Sequence, residues 1–295
     1  MRIGIDIGGT KVEAVAIDNN VNVIGSIRKP VRPGAAGVTE GAIDALAEVC
    51  READTRADSI GIGIPGVVRG GVVHRARNLH IDSLDLRSAV AEATGISVRV
   101  ANDVNAAALG AWALAGGSST SFAYLNLGTG LAAGLVLGGT VFEGSSGLAG
   151  EIGYMSIDPR GPDHIEGLAG TLEAYASGSG VVAQWGIDGA TVVDVFRAAD
   201  AGDVRAIAIR EGVYYGAASA VRVLALGFGA DTVLVGGGLS GLGCSLINGM
   251  ARHFESWSAT SPVIASLDLG AITMLIDDDR PTHAIGAAIV GGNDD

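Results

Sequence analysis

Short apolar runs separated by turn residues open the chain. Residues 2–7 and 12–17 are mostly apolar and rich in β-branched side chains, and a glycine pair lies between them. Apolar runs of strand length joined by such a pair predict a β-hairpin. An asparagine pair follows and predicts a second turn, with a third strand over residues 21–28.

Helical spacing predicts helices between the later strands. Thr39 is a candidate N-cap for a helix whose apolar face includes Ile43, Ala47 and Cys50, and Gly95 is a candidate C-terminal stop for the next helix. The other predicted strands cover residues 59–64, 98–101, 121–127, 132–137 and 232–235, and the other predicted helices cover residues 84–94, 103–115, 203–226, 239–254 and 282–290.

The opening hairpin is repeated in the middle of the chain. Residues 121–127 and 132–137 flank a second glycine turn, as the first two strands flank the first turn. The repetition indicates an α/β fold of two duplicated domains around a central cleft. We therefore predict one domain from residues 1–115 plus 282–295 and another from residues 116–281.

The first glycine turn has the composition of a phosphate-binding loop. Gly8 and Gly9 allow close approach of backbone N–H groups to an anion. Thr10 adds a hydroxyl and Lys11 an ammonium, while Asp6 could hold Mg²⁺ directly or through water. The alternative is a plain hairpin turn, because short glycine motifs are weakly specific.

Two further glycine segments could bind other parts of a nucleotide whose phosphates lie on the first turn. Gly128, Thr129 and Gly130 form the second turn, and Gly237 and Gly238 end a triple glycine after a predicted strand. The triple glycine could let an adenine lie against the backbone, or it could only permit close packing of a strand and a helix. The chain has neither a Walker A pattern nor the dinucleotide-binding spacing at the first loop.

Carboxylate and amide side chains are candidates for binding the molecule whose hydroxyl would receive a phosphoryl group. Asn102 and Asp103 lie between a strand and an alanine-rich helix, where either could cap the helix. Asp103 could instead accept a hydroxyl proton, as phosphoryl transfer requires, and a carboxylate at a helix N-terminus is held ionised. Glu151 and Glu173 could bind adjacent sugar hydroxyls or be ordinary surface residues.

Composition excludes several classes of function. The net charge of −13 argues against a nucleic-acid surface, which needs clustered Lys and Arg. Only two cysteines occur, and we find neither a signal-peptide pattern nor a long apolar run. We therefore expect a cytoplasmic protein without nucleic-acid or membrane partners.

Taken together, the motifs resemble the ROK family of sugar kinases and repressors over essentially the whole chain. The matching segments, in order, are Asp6-Ile7-Gly8-Gly9-Thr10-Lys11, Gly63-Ile64-Pro65-Gly66, Asn102-Asp103, Leu127-Gly128-Thr129-Gly130, Gly150-Glu151-Ile152-Gly153 and Gly236-Gly237-Gly238. The resemblance implies an actin-like ATPase or hexokinase-type fold, with sugar in the cleft and ATP over both glycine loops.

The resemblance also implies residue roles. It makes Asp103 the catalytic base and places Gly66, Asn102, Glu151 and Glu173 along the sugar. The residues implied to line the nucleotide are Thr10, Lys11, Thr129 and Gly237, with the neighbouring glycines of the three segments.

One departure from the family concerns zinc. Members of the family usually hold a structural zinc through one His and three Cys, and here Tyr154, His164, Glu166 and Thr171 stand at those positions. Tyr and Thr are poor zinc ligands, so we predict no zinc. Because the usual His also touches the sugar, Tyr154 becomes a candidate substrate residue. Packing of Ile157, Leu168 and Leu172 is expected to order the loop instead.

These inferences predict an ATP- and Mg²⁺-dependent kinase for a hexose, with the 6-OH of a glucose-like sugar as acceptor. The alternatives are an N-acetylhexosamine kinase, a kinase using polyphosphate, and a non-catalytic sugar-sensing ROK protein. Family repressors carry an N-terminal helix-turn-helix, whereas here the first strand begins at Arg2. We also expect a homodimer. The helix over residues 203–226 could present apolar residues to a partner, or the same residues could face the core of their own domain: Ile207, Val213, Tyr214, Ala217 and Val221.

Overall fold

The computed structural model describes residues 1–165, 167–276 and 280–292, without the side chains of His164 and Ile165. It is a mixed α/β protein. The strands are β1 (Arg2–Ile7), β2 (Lys11–Ile17), β3 (Val23–Pro30), β4 (Ser59–Ile64), β5 (Val67–Arg69), β6 (Val72–Ala76), β7 (Ile81–Asp85), β8 (Ser97–Asn102), β9 (Ser121–Leu127), β10 (Leu131–Leu137), β11 (Thr140–Val141), β12 (Asp163–Ile165), β13 (Leu168–Ala169), β14 (Thr232–Gly236) and β15 (Thr273–Leu275).

Helices alternate with these strands along most of the chain. They are α1 (Ala35–Glu52), α2 (Leu86–Thr94), α3 (Asp103–Leu114), α4 (Leu172–Ala176), α5 (Gly178–Trp185), α6 (Val192–Asp200), α7 (Val204–Phe228), α8 (Cys244–Thr260), α9 (Pro262–Ala265), α10 (Leu269–Ile272) and α11 (Thr282–Gly292). Among the residues described, no helix is both long and apolar enough to cross a membrane.

The chain divides into two compact units. The first comprises Met1–Thr120, Gly134–Ala149 and Asp279–Asp295, and the second comprises Ser121–Ala133 and Gly150–Asp278. The first unit thus includes the segment after the second glycine turn, which the sequence-based boundaries assign to the other domain.

The first unit contains a five-stranded sheet in the order β3-β2-β1-β4-β8. β3, β2 and β1 are antiparallel neighbours, whereas β1, β4 and β8 run parallel. The carboxyl ends of β1, β4 and β8 therefore lie along the same edge, where the first glycine turn, Gly66 and Asn102 follow their strands. A separate three-stranded meander consists of β5, β6 and β7.

The two faces of this sheet carry different residues. On β1 and β4, isoleucines at alternate positions pack in the core that also contains α1 residues such as Val38 and Ala42. The intervening positions include Gly4 and Gly61, where an added Cβ would lie only 1.8 Å from the Ala284 carbonyl oxygen and 1.7 Å from that of Ala287. These glycines let α11 pack directly against the backbone of the sheet.

The second unit is built on parallel strands β9, β14 and β15, with Thr232 opposite Phe122 and Val233 opposite Thr273. Helix α7 contributes many buried residues to this unit. Val213, Tyr214, Ala217 and Val221 are all buried within the chain. The proposal that they present a dimerisation surface is therefore wrong, because they face the core of their own unit.

Several predicted boundaries also differ from the structure. Helix α1 begins after Gly34, so Thr39 lies inside the helix and does not cap it, and Ala47 is exposed. The predicted helix over residues 239–254 is broken: a 3₁₀ turn, Gly238–Leu242, precedes α8, and Gly243, with a positive φ of 57°, separates them. The first residues of the helix predicted over 84–94 instead end strand β7.

Candidate functional site

The first glycine turn joins β1 to β2 in the first unit. The Gly8 N–H donates to the Lys11 carbonyl oxygen at 2.8 Å, which closes the turn. Gly9, Thr10 and Lys11 are exposed. The loop thus has the exposed backbone, hydroxyl and ammonium that a phosphate requires.

Asp6 lies just before this turn and is almost completely buried, with 7% of its surface exposed. Its Oδ1 atom has no hydrogen-bond partner in the described part of the chain. Burial, followed by the charge of Glu13, raises the pKa of Asp6 to about 7, against the opposing charge of Lys11. A buried carboxylate oxygen without a donor, beside the first glycine turn, is a group that a hard cation such as Mg²⁺, or a water molecule bound to it, would satisfy.

Asn102 and Asp103 form the start of α3. The Asn102 Oδ1 accepts hydrogen bonds from the N–H groups of Val104 at 2.9 Å and Asn105 at 3.2 Å, so Asn102 is the N-cap. Its Nδ2 donates to the Gly66 carbonyl oxygen at 3.1 Å. Asn102 therefore caps the helix and also fixes the Gly66 backbone to the start of the helix. These two candidate sugar-binding residues thus lie together.

Asp103 is half-buried at the first position of α3, and its Oδ1 accepts a hydrogen bond from the Val104 N–H at 3.0 Å. Desolvation, then the charge of Asp6, raises the pKa of Asp103 to about 6, while His283 and the backbone hydrogen bonds act in the opposite direction. The carboxyl therefore becomes an anion between pH 5 and 7, the range in which a general base is effective at neutral pH.

His283 completes this cluster and was missed by the sequence analysis. It lies in the first turn of α11, and its Nδ1 is 3.9 Å from Asp6 Oδ1. Burial lowers the pKa of His283, although the Asp103 carboxylate opposes the change. Only a lone histidine in an alanine- and glycine-rich helix marks it in the sequence, and its proximity to Asp6 depends on the packing of α11 against β1.

In the second unit, the second glycine turn packs on the start of α5. The Gly178 N–H donates to the Gly128 carbonyl oxygen at 2.8 Å, and the Ser179 N–H and Oγ donate to the Thr129 carbonyl oxygen at 3.0 and 2.7 Å. The helix N-terminus therefore holds the carbonyl groups of the turn.

Glu173 contacts the same turn. Its Oε2 accepts a hydrogen bond from the Leu131 N–H at 2.8 Å, and a Cβ added at Gly130 would lie 2.7 Å from that oxygen. The structure thus connects a candidate sugar residue to a candidate nucleotide loop.

The triple glycine serves close packing at two positions, and at the first of them, Gly236, an added Cβ would collide with the Tyr124 side chain. A Cβ at Gly237, which has a positive φ of 82°, would lie 2.5 Å from the Leu127 carbonyl carbon and 2.7 Å from the Gly128 nitrogen. The end of β14 therefore lies against the second glycine turn. Gly238 has no atom within 4 Å of its added Cβ and is exposed, so its surface is open to a ligand.

Glu151 precedes the 3₁₀ turn Ile152–Tyr154 and Tyr154 ends it, and both are exposed, Tyr154 to 47%. The turn is anchored where the Ile152 N–H donates to the Gly150 carbonyl oxygen at 2.7 Å. This arrangement presents both side chains to solvent in the second unit.

The positions of the family's zinc ligands have a different structure here. Thr171 is fully buried and caps α4, since its Oγ1 accepts from the Ala174 N–H at 3.1 Å. The side chain of His164 and all of Glu166 lie outside the described residues. Across the residues that are described, no group of three His, Cys, Asp or Glu could hold a metal ion.

Backbone hydrogen bonds hold the loop that precedes α4. The Ile157 N–H donates to the Gly170 carbonyl oxygen at 2.8 Å, and the Leu172 N–H donates to that of Met155 at 2.9 Å. Leu172 is buried as expected, but Leu168 is 45% exposed, so its predicted packing role is wrong.

Comparison with known proteins identifies the family. The model of the ROK family matches residues 2–289. A glucokinase of Halalkalibacterium halodurans is 30% identical over 282 residues, covering 87% of this chain and 86% of the relative. An N-acetylmannosamine kinase of Escherichia coli is 28% identical, covering 90% and 91%.

Solved structures agree with this relationship. The ROK hexokinase of Thermus thermophilus is similar with a TM-score of 0.83 and 29% identity, covering 98% of this chain and 97% of that one. A ROK glucokinase of Streptomyces griseus, solved with glucose and AMPPNP, gives 0.76 and 26%, covering 98% of both chains. The predicted actin-like ATPase fold is confirmed, and the chain belongs to the ROK family.

Proposed function

We propose that the protein is a sugar kinase that transfers the γ-phosphoryl group of ATP to a hydroxyl of a hexose, with the 6-OH of a glucose-like sugar as the acceptor. The observation that carries this proposal is the placement of Asp103 at the start of α3, beside Asp6 and bonded to the helix backbone. Relatives that are glucokinases and N-acetylmannosamine kinases support the reaction class.

Asp103 acts as the general base. With a pKa of about 6, its carboxylate is ionised at neutral pH. It accepts the proton of the acceptor hydroxyl as the new O–P bond forms and the bond from the γ-phosphorus to the β,γ-bridging oxygen breaks, which releases ADP. The helix N-terminus stabilises the anion, and the bond from the Val104 N–H fixes its position. The proton thus moves to a group that is already in place.

The glycine turns bind the nucleotide. Gly8, Gly9, Thr10 and Lys11 offer one exposed surface for phosphate oxygens, and Gly128, Thr129 and Gly130, with Gly237 and Gly238, offer another. Asp6 would hold Mg²⁺, directly or through water, and the cation would neutralise charge on the phosphates. The AMPPNP complex of the Streptomyces griseus relative supports ATP as the donor.

The sugar is held by hydrogen bonds to its hydroxyls. We assign this role to Gly66, Asn102, Glu151, Tyr154 and Glu173. Carboxylates accept from two adjacent hydroxyls, whereas the Tyr154 phenol offers one O–H that both donates and accepts. Tyr154 stands where the family has histidine. We therefore expect selectivity for the groups at C1 and C2 of the sugar to be weaker or altered.

An N-acetylhexosamine kinase is the second candidate, because several N-acetylmannosamine kinases are 26–30% identical to this chain.

The homodimer also remains a proposal, with a surface other than the buried residues of α7. Light scattering at micromolar concentration measures the molar mass in solution, and the mass of a monomer would contradict the homodimer.

A substrate panel tests the function. Glucose, mannose, 2-deoxyglucose, N-acetylglucosamine and N-acetylmannosamine are each incubated with ATP and Mg²⁺, and ADP release is coupled to an optical signal. We expect the highest kcat/KM with glucose or mannose. A preference for either acetylated sugar would move the assignment to the second candidate, and turnover with none would leave the sugar-sensing alternative. Elemental analysis of the same preparation is expected to find no stoichiometric zinc.

A further inference from the structure

Three charged residues lie in a row across the first unit's sheet. Arg28 on β3 is opposite Glu13 on β2, and Glu13 is opposite Asp6 on β1. Residues directly opposite each other in antiparallel strands project from the same face, and like charges in such positions repel. The repulsion between Asp6 and Glu13 is therefore relieved by a cation close by or by a proton on Asp6.

The cations of this face are arranged around Glu13. Arg28 donates to Glu13 Oε1 from Nε at 3.1 Å and from Nη2 at 2.7 Å. Lys11, two residues before Glu13 on the same face of β2, places its Nζ 3.8 Å from Glu13 Oε2. Glu13 is only 8% exposed, so the carboxylate is held firmly between the two cations.

Asp6 is left with a different environment. No donor in the described residues bonds to its Oδ1, and the facing imidazole of His283 is 3.9 Å away. The next position in the row is Gly63, which pairs with Asp6 across β1 and β4 and has no side chain. The row thus ends in a carboxylate with one oxygen that is buried and accepts no hydrogen bond from the described residues.

We propose that Glu13 is a positioning residue that keeps the Lys11 ammonium off Asp6, so that the Asp6 carboxylate stays unpaired for the cation accompanying the nucleotide. This inference rests on the proposed function. Without the Glu13 charge, Asp6 is the remaining carboxylate of the row, and the long, flexible stem of Lys11 allows the ammonium to reach towards it. A lysine paired with Asp6 would compete with Mg²⁺ and would leave the phosphate loop.

The test is a double-mutant cycle read by calorimetry of ADP binding, with Mg²⁺ and with chelator. Glu13→Gln keeps the size and the acceptor oxygen for Arg28 but removes the charge. We expect it to weaken binding of Mg²⁺–ADP by about two- to fivefold, the range of a partly exposed ion pair, without weakening binding of metal-free ADP. In a Lys11→Met background, the same substitution should have no effect on Mg²⁺–ADP binding.

Glu211→Gln is the matched control, because Glu211 also pairs with an arginine through two short bonds, to Arg252 at 3.1 and 3.0 Å. It should leave ADP binding unchanged, and thermal unfolding verifies that each variant is folded. An equal loss from Glu13→Gln in both backgrounds would show a direct or structural effect and overturn the proposal, as would no loss in the parent. If Asp6→Asn and Lys11→Met leave ADP binding unchanged, the nucleotide role of the first loop fails as well.

Discussion

The Glu173 carboxylate accepts a hydrogen bond from the Leu131 N–H at 2.8 Å, directly after the second glycine turn. Gly130 makes this contact possible, because a Cβ there would lie 2.7 Å from the same Glu173 oxygen. One carboxylate oxygen is thereby fixed to the backbone. Glu173, a proposed sugar-binding residue, is thus positioned by the second glycine turn, a proposed nucleotide-binding loop of the same unit.

Gly130→Ala should therefore act through Glu173. We expect the added methyl to displace the carboxylate and raise KM for the sugar by a few-fold to about tenfold, the effect of one lost hydrogen bond. In a Glu173→Ala background the same methyl has no carboxylate to displace, so its effect on KM should disappear. Additive effects of the two substitutions would contradict the assignment. Gly270→Ala is the control, since its added Cβ has nothing within 4 Å.

The sequence was informative where a feature depends on neighbouring residues. The strands around both glycine turns, the start of α3 and the stop at Gly95 were predicted closely, because β-branched runs, cap residues and glycine act locally. The contact of Glu173 with Leu131 joins residues 42 positions apart, and the approach of His283 to Asp6 depends on the packing of α11. Such contacts leave no periodic signal in a single sequence.

Asp6→Asn should stabilise the metal-free protein at pH 8. The pKa of Asp6 is about 7 in the folded state and 3.8 in its ordinary state, so the folded protein binds the proton more tightly. The free energy of unfolding therefore falls as pH rises from about 4 to 7, by up to about 4 kcal/mol. Asparagine does not titrate, so the variant lacks this loss. Its free energy of unfolding should exceed that of the parent by a large amount at pH 8 and by a small amount at pH 4 to 5. Urea unfolding with chelator measures it, and equal pH slopes for both proteins would refute the buried-carboxylate account.

Gly61→Ala should disrupt the contact between α11 and β4. Its added Cβ would lie 1.7 Å from the Ala287 carbonyl oxygen, and neither backbone can yield without shifting the helix. We expect a loss of at least about 2 kcal/mol in the free energy of unfolding. Gly41→Ala inside α1 has no neighbour within 4 Å and should instead be neutral or stabilising by up to about 1 kcal/mol. Similar unfolding midpoints for the two variants would contradict the packing argument.

Tyr154→Phe tests whether the phenol reads the sugar. The side chain is 47% exposed, and the substitution removes only its hydroxyl. If that hydroxyl bonds the sugar near C1 or C2, the relative kcat/KM values for glucose, mannose and 2-deoxyglucose should change by a few-fold to about tenfold. Unchanged ratios among the three sugars would exclude this role.

Asp103→Asn tests whether Asp103 is the general base. Asparagine keeps the size and an oxygen for the Val104 N–H, and the Asn102 cap remains. The decisive measurement is kcat of this variant beside the dissociation constant of the sugar. We expect kcat to fall by roughly 10²-fold or more while the dissociation constant of the sugar changes little. A kcat near that of the parent, with the protein folded and binding sugar, would contradict it.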